Sequence, residues 1–323
     1  LGVQSQEGIL EESNLERYSG RINMNQSALD GALTVDYRVN AVHTENLRPD
    51  NRATVRDMLQ LNPTIHVYTD GSPTRLDNRL NPQRRYDLYS DENTNNRIVG
   101  NVKPTVEILE GLSYEVNLGA DYSESNRIVQ TSPFPPLEGF GEGELSSSNR
   151  ENINLTVENT LRYQLNRESH SATLLSGYSY KWFRTEARST SMEGFNDNGI
   201  SPQFQDQIST PETPTETSAL AEISKLQSFF GRVNYSYDNR YLVTTTFRSD
   251  GSSRFGENNR YGYFPSFSLG WNISNESFFE VSFVENLKIR ASWGKTGNQE
   301  IPNKITKASF TESRSGNNTY PLD

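Results

Sequence analysis

Residues 33–41 read Leu-Thr-Val-Asp-Tyr-Arg-Val-Asn-Ala, and this strict alternation recurs along most of the chain. On a β-strand every second side chain shares a face. Leu33, Val35, Tyr37, Val39 and Ala41 therefore form one apolar face, opposite Thr34, Asp36, Arg38 and Asn40. The pattern returns at Leu112, Tyr114, Val116, Leu118, Ala120 and Tyr122, opposite Ser113, Glu115, Asn117 and Asp121. It returns again at Ile153, Leu155 and Val157 and, past a polar Asn159, at Leu161, Tyr163 and Leu165. A further run is Ala172, Leu174, Ser176, Tyr178, Tyr180 and Trp182. Later runs lie at 229–237, 241–247, 263–271 and 287–293, with weaker ones at 18–24 and 98–108. Helical periodicity is almost absent. About ten strands are predicted, many around ten residues long, where soluble strands average about five or six. A tilted strand crossing a bilayer needs roughly nine to eleven.

The connections alternate in length. A short link ends in Asp30-Gly31, a favoured turn dipeptide. A long loop over about 44–96 follows, rich in Asn, Pro, Asp and Arg. The links at 109–111, 166–169 and 238–240 are short, and those at 123–150 and 184–225 are long. A medium loop at 249–260 continues the alternation, and 275–286 is longer than it prefers. Up-and-down strands with short turns at one end and long loops at the other are the layout of an outer-membrane barrel. Aromatic residues crowd the strand ends, at Tyr235, Tyr237, Tyr241, Tyr261, Tyr263, Phe264, Phe278 and Phe279, as interfacial girdles require.

Composition agrees with a strand wall that has one wet face. Hydrophobic residues make up only 33% of the 323, yet aromatics reach 11%, with 16 Tyr and 15 Phe. An ordinary core uses more aliphatic residues, and a disordered chain fewer aromatics. Mean hydropathy is −0.77; a polar inner face and watery loops account for it. The net charge of −10 leaves no basic stripe for nucleic acid. The absence of Cys removes disulfides, thiolate metal sites and cysteine nucleophiles. No run approaches the roughly 18 apolar residues of a membrane helix. The chain opens Leu1-Gly2-Val3 without Met or a signal-peptide pattern, as expected of a processed start or a piece of a longer protein.

Catalytic and metal-binding constellations are poor. His43, His66 and His170 are scattered, with His43 and His170 expected at strand ends as interface or turn residues. The run Gly139-Phe140-Gly141-Glu142-Gly143 lacks the Lys-Ser/Thr and helix of a phosphate loop, and its acidic residues would repel phosphate. Asp250-Gly251 reads as a hairpin turn rather than a calcium loop. The sequon at Asn154 falls inside a strand. No residue is singled out as catalytic or substrate-binding, and no metal or cofactor is called for. Loop aromatics Phe134, Phe140 and Phe195 are candidates to stack on sugar rings or touch a lid protein, or else are buried within folded loops.

The run 226–256, Leu-Gln-Ser-Phe-Phe-Gly-Arg-Val-Asn-Tyr-Ser-Tyr-Asp-Asn-Arg-Tyr-Leu-Val-Thr-Thr-Thr-Phe-Arg-Ser-Asp-Gly-Ser-Ser-Arg-Phe-Gly, strongly resembles the SusC/RagA family of TonB-linked outer-membrane transporters. So do 259–271, Asn-Arg-Tyr-Gly-Tyr-Phe-Pro-Ser-Phe-Ser-Leu-Gly-Trp, and 287–298, Leu-Lys-Ile-Arg-Ala-Ser-Trp-Gly-Lys-Thr-Gly-Asn. Upstream, 27–31 and 61–71 are similar in content and order. The resemblance implies an all-β, antiparallel up-and-down transmembrane β-barrel segment: about ten strands of a larger barrel of about 22. Residues 1–323 would all belong to the barrel domain, with the signal peptide, plug domain and remaining strands absent. It further implies TonB-dependent import of oligosaccharides or peptides across a Bacteroidetes-type outer membrane. The implied partners are a SusD-like surface lipoprotein, outer-membrane lipid, and the TonB–ExbB–ExbD complex reached through the missing plug. The competing expectations are a secreted all-β carbohydrate-binding or adhesion module, built as a sandwich, and a β-rich glycoside hydrolase with paired carboxylates. Under the barrel reading Leu33, Val35, Tyr37 and Val39 face lipid, while Asp36, Arg38 and Asn40 line the interior.

Overall fold

The computed structural model describes residues 1–74, 81–134, 143–205, 216–281, 283–303, 311–315 and 318–322. Its body is one eleven-stranded sheet in which every strand pairs antiparallel with its neighbours in the chain. The strands are β1 (Gly2–Glu7), β2 (Asn14–Ala28), β3 (Leu33–Arg48), β4 (Tyr89–Leu109), β5 (Leu112–Thr131) and β6 (Gly143–Arg167). They continue as β7 (His170–Phe195), β8 (Glu216–Tyr237), β9 (Tyr241–Ser252), β10 (Tyr261–Asn272) and β11 (Lys288–Gly294). Two helices, α1 (Asn51–Gln60) and α2 (Pro82–Leu88), lie in the long link between β3 and β4.

The strands outrun the sequence expectation. β7 has 26 residues, roughly 85 Å of chain at about 3.3 Å per residue. The expected loops at 44–96, 123–150 and 184–225 are correspondingly shorter: the flanking strands run on to Arg48, Thr131 and Phe195. These extensions pair Ser146 with Ser191, Ser147 with Thr190 and Asn149 with Arg188. With water on both sides, nothing selects apolar alternation there, so periodicity could not reveal them. β1 went undetected for the same reason, since all six of its residues are exposed.

Register sorts the side chains into two faces. Val39, Gly100, Ala120, Leu155 and Trp182 occupy one cross-strand row, and Leu33, Val106, Tyr114 and Leu161 another on the same face. Arg38, Asn101, Gly119, Thr156 and Lys181 occupy a row on the opposite face. A hollow lined by Arg38, Asn40, Asn101, Asn117 and Asn154 marks that polar face as the concave one. The expected orientation of Asp36, Arg38 and Asn40 inward, and Leu33, Val35, Tyr37 and Val39 outward, is what the sheet shows.

No second sheet covers the apolar face: the other two sheets among the described residues are two-stranded, 68–73 and 311–322. Leu118, Leu161 and Leu269 remain 47%, 41% and 46% exposed, and apart from prolines the buried apolar side chains among the described residues are Tyr86, Leu88, Leu145 and Phe195. A sandwich would bury this face. On β6 the outward band runs from Ile153 to Leu165; its height is about 28 Å at a ~45° tilt, close to a hydrocarbon core. Asn159, near its middle, accepts a hydrogen bond from the Tyr114 hydroxyl at 2.7 Å, so the outward amide is not left bare in lipid.

Tyr163, Tyr235, Tyr237, Tyr241 and Trp271 form the lower aromatic border and Tyr122, Tyr180 and Tyr261 the upper one. Phe264 is a correction. It stands one residue from the outward Tyr263, and its ring packs inward over Gly262 and Gly297. His43 is also corrected: it lies inside β3, bonded to Asn96 and Glu45, whereas His170 does open β7 and meets the Tyr235 hydroxyl at 2.7 Å.

Short turns close the lower end. Gly111 links β4 to β5 at φ +77°, and a Cβ there would stand 2.4 Å from the Gln164 carbonyl oxygen. The turn after β8 uses Asp238 and Asn239 in left-handed conformation. The longer link after β10 packs against it through Glu276, which accepts from Trp271 Nε1 at 2.9 Å and Arg240 Nη1 at 3.1 Å. The bonds from Trp271 and then Tyr241, with the Arg240 guanidinium, hold the Glu276 carboxyl below its ordinary range.

Two measurements on the full-length protein test this frame. Val35→Arg places a cation on the lipid face two residues above the lower end of β3 and should cost about 1 kcal/mol of membrane-folded stability. Asp36→Asn, one residue on and inward, should leave the unfolding midpoint in bilayers nearly unchanged. For Glu276 the folded form binds its proton more weakly than the unfolded chain, so its contribution is complete above the ordinary carboxylate range and lost as pH falls below it. Hydrogen exchange at 238–240 and 273–276 should accelerate on acidification, and Glu276→Gln should abolish that pH dependence.

Candidate functional site

The concave face is a wall of fixed charges and amides. Arg97 forms a two-pronged bridge to Asp121 at 3.0 and 2.8 Å, and Arg127 does the same to Asp91 at 2.7 Å for each contact. Lys103 lies between Asp36 at 3.8 Å and Glu115 at 3.2 Å, and Arg248 is 2.7 Å from Asp250. Amides knit the rest: Asn25 donates to Asp36 at 2.8 Å and Asn101 to Asn117 at 3.2 Å. Every bridge joins neighbouring strands or residues two apart on one strand, so the register itself puts opposite charges together. Asp250 and Gly251 lie within β9 rather than in a turn, a correction to the hairpin reading, because β9 runs on to Ser252. The hollow along this wall has a volume of about 830 Å³.

At the upper end the β3–β4 link is a folded platform. Asp50 caps α1 by accepting from the Ala53 N–H at 3.2 Å, and Asn81 caps α2 ahead of Pro82. Arg85, 5% exposed, reaches from α2 to Asp57 at 2.6 Å and to Asp50 at 3.2 Å. The Asn81 side chain donates to the carbonyls of Val67 and Thr74 at 3.0 Å each, tying a small hairpin to the helices. Burial, then the nearby Glu11 and Asp87, push the Glu12 carboxyl in the β1–β2 turn above its usual range.

The loop aromatics divide. Phe195 is 5% exposed at the upper end of β7, so it is no contact surface. Phe134 is half-buried, with the Arg84 guanidinium 5.5 Å from its ring centre. Phe140 and most of the 139–143 glycine run lie outside the described residues. The inward Phe183, Phe230 and Phe264 had no distinct signal in the sequence beyond their parity within each strand. The Phe230 ring packs on Gly177, and the Arg248 guanidinium stands 5.7 Å from its centre. Among the described residues no group of three or more His, Asp or Glu is arranged to hold a metal ion.

A sequence profile described as TonB dependent receptor-like, beta-barrel, matches residues 28–320. The chain belongs to the TonB-dependent receptor β-barrel family. Among curated relatives, the TonB-dependent receptor SusC of Bacteroides thetaiotaomicron is 28% identical over 332 residues, covering 93% of this chain and 32% of the relative. TonB-dependent receptor P26 of Formosa agariphila is 32% identical over 327 residues, covering 97% and 32%. The chain thus spans about a third of the length of the curated relatives it matches. Among solved structures, the RagAB peptide transporter aligns over 99% of this chain and 37% of its own, with a TM-score of 0.80. At 21% identity that likeness establishes the fold. The relatives are receptors of SusC/RagA type rather than enzymes, and the lipid belt is that of an outer-membrane TonB-dependent receptor.

Removing one partner of the Arg85 centre tests whether the platform is a built unit. In the full-length receptor Arg85→Ala removes the buried cation that joins the partly exposed Asp50 and Asp57 and should cost about 1.5–3 kcal/mol locally. Hydrogen exchange should rise across 50–61 and 81–88 while protection of β5 to β8 stays unchanged.

Proposed function

We propose that this chain supplies part of the wall and outer mouth of an importer that carries neutral oligosaccharides across the outer membrane. The observation that supports this reading is the chemistry of the concave face. Most of its acids and bases are spent on one another, as in Arg97–Asp121 and Lys103–Glu115. What remains along the hollow are the guanidiniums of Arg21 and Arg38 and, more numerous, amides and hydroxyls such as Asn40, Asn101, Asn154 and Thr156. Groups that both donate and accept suit a hydroxyl-rich, uncharged cargo. A peptide is the alternative cargo, favoured by the likeness to the RagAB peptide transporter.

In this reading residues 1–323 are all barrel, and a plug and further strands belong to the rest of a longer protein, in keeping with the one-third coverage of the relatives. Energy comes from the inner-membrane TonB–ExbB–ExbD complex acting through that plug, and a SusD-like surface lipoprotein closes the mouth. The folded platform around Arg85 is a firm surface for such a lid, because that buried guanidinium ties its helices together through Asp50 and Asp57.

Deleting the gene in its native host tests the reading. Growth on at least one neutral glycan should be lost and restored by the intact gene, while growth on the monosaccharide should be unchanged. Loss of growth on oligopeptides alone would overturn the glycan assignment. No growth defect on either class would overturn import.

A further inference from the structure

At the outer end of β9 and β10 the concave face holds a second, smaller pocket of about 340 Å³. That volume is at the low end for small-ligand sites, which run from about 300 to 1,000 Å³. Asp250 and Phe264 line it from the inner face of the sheet, Phe255 and Asn259 from the β9–β10 loop, and Asn298 and Gln299 from the segment after β11. The position follows from topology: the tight turns lie at the opposite end of these strands, so this pocket opens at the mouth.

The pocket is held open by specific contacts. Arg254 Nη1 donates to the carbonyl oxygens of Gln299 at 3.4 Å and Ile301 at 3.2 Å, and meets the Glu300 carboxylate at 3.1 Å. One side chain thereby fixes the distance between the two walls. The Ser252 N–H donates to the Arg260 carbonyl at 3.0 Å, closing the loop onto the strand end. Gly297 lets the second wall come down on Phe264: a Cβ there would stand 2.3 Å from the Phe264 ring.

We infer that this pocket is a saccharide subsite at the barrel mouth that binds one segment of an uncharged oligosaccharide. The inference rests on the import reading above and deepens it. Charge argues for a neutral ligand, because each charged group here has a counter-charge. Asp250 is 2.7 Å from Arg248, Arg260 is 3.6 Å from Glu257, and Arg254 is bound to Glu300. The remaining chemistry is two phenylalanine rings beside three side-chain amides. A sugar ring presents a C–H face to an aromatic ring and a rim of hydroxyls that donate and accept at once. Asn298 Oδ1 already accepts the Glu300 N–H at 2.8 Å, which orients its NH2 group as a donor.

The test uses the full-length receptor in detergent, with affinities measured by calorimetry for maltohexaose, laminarihexaose, an inulin-type fructo-oligosaccharide and an uncharged hexapeptide. Wild type should bind at least one of the glycans. Asn298→Ala and Phe255→Ala should each weaken that glycan about tenfold, as loss of a hydrogen bond or a stacking contact does. Phe255→Tyr should restore near wild-type affinity, and an unchanged heat-shifted gel band for every variant should confirm a folded barrel. Glycan binding that both alanine variants leave unaltered would overturn the subsite while import stands. Binding of the hexapeptide alone would overturn the ligand class. No binding by a receptor that still supports growth on the glycan would also overturn the subsite. If that growth is absent too, the import reading itself fails.

Discussion

Within hydrocarbon, every backbone N–H and C=O must be paired inside the protein, because no water is there to replace a missing partner. Side-by-side antiparallel strands meet that demand continuously, and the eleven-stranded sheet follows from it. Once the backbone is paired this way, side chains have only two directions, and the two sides are different solvents. The alternation of Val35 with Asp36, or Leu155 with Asn154, is the chain's response to standing between lipid and water. Even the exception obeys the constraint. Asn159 faces outward near mid-belt, and the Tyr114 hydroxyl supplies the partner that lipid withholds.

Above the lipid the same strands continue under a different rule. Both faces are wet there, and cross-strand pairs of Ser, Thr, Asn and Arg replace apolar alternation. Stability in that region comes from backbone pairing and local contacts rather than a core; apart from prolines, only Tyr86, Leu88, Leu145 and Phe195 are buried apolar residues among those described. The β3–β4 platform resolves the same shortage with ion pairs, Arg85 joining the two helices through Asp50 and Asp57. Such a centre fixes geometry more than it adds net stability, since the desolvation of its charges offsets much of their attraction. Geometry is what a surface that must meet a partner requires.

Electrically the concave wall cancels itself. Opposite charges sit on adjacent strands, so most of the surface offers polarity without a strong field, and Arg21 and Arg38 are the guanidiniums along the hollow that no ion pair among the described residues engages. The pocket at the mouth repeats that design on a smaller scale, with compensated charges around aromatic rings and amides. Receptor architecture of this kind belongs to the family shown by residues 28–320.

The fold class, the existence of ten of the eleven strands, and the faces of Val35 and Asp36 were legible because lipid and water impose a period of two on side-chain polarity. Strand ends were not, because beyond the belt that period disappears. β1, the upper half of β7 and the in-strand position of Asp250 all belong to that silent region. Phe264 was misassigned to the girdle because a run of aromatics hides its own parity; only the register against β9 shows which ring turns inward. The mouth pocket was invisible for a different reason. Its walls come from residues about 40 apart, and only the Arg254 bridge, with Gly297 against Phe264, brings them together. Local polarity is a property of sequence, whereas contact between distant loops exists only after the sheet has set their positions.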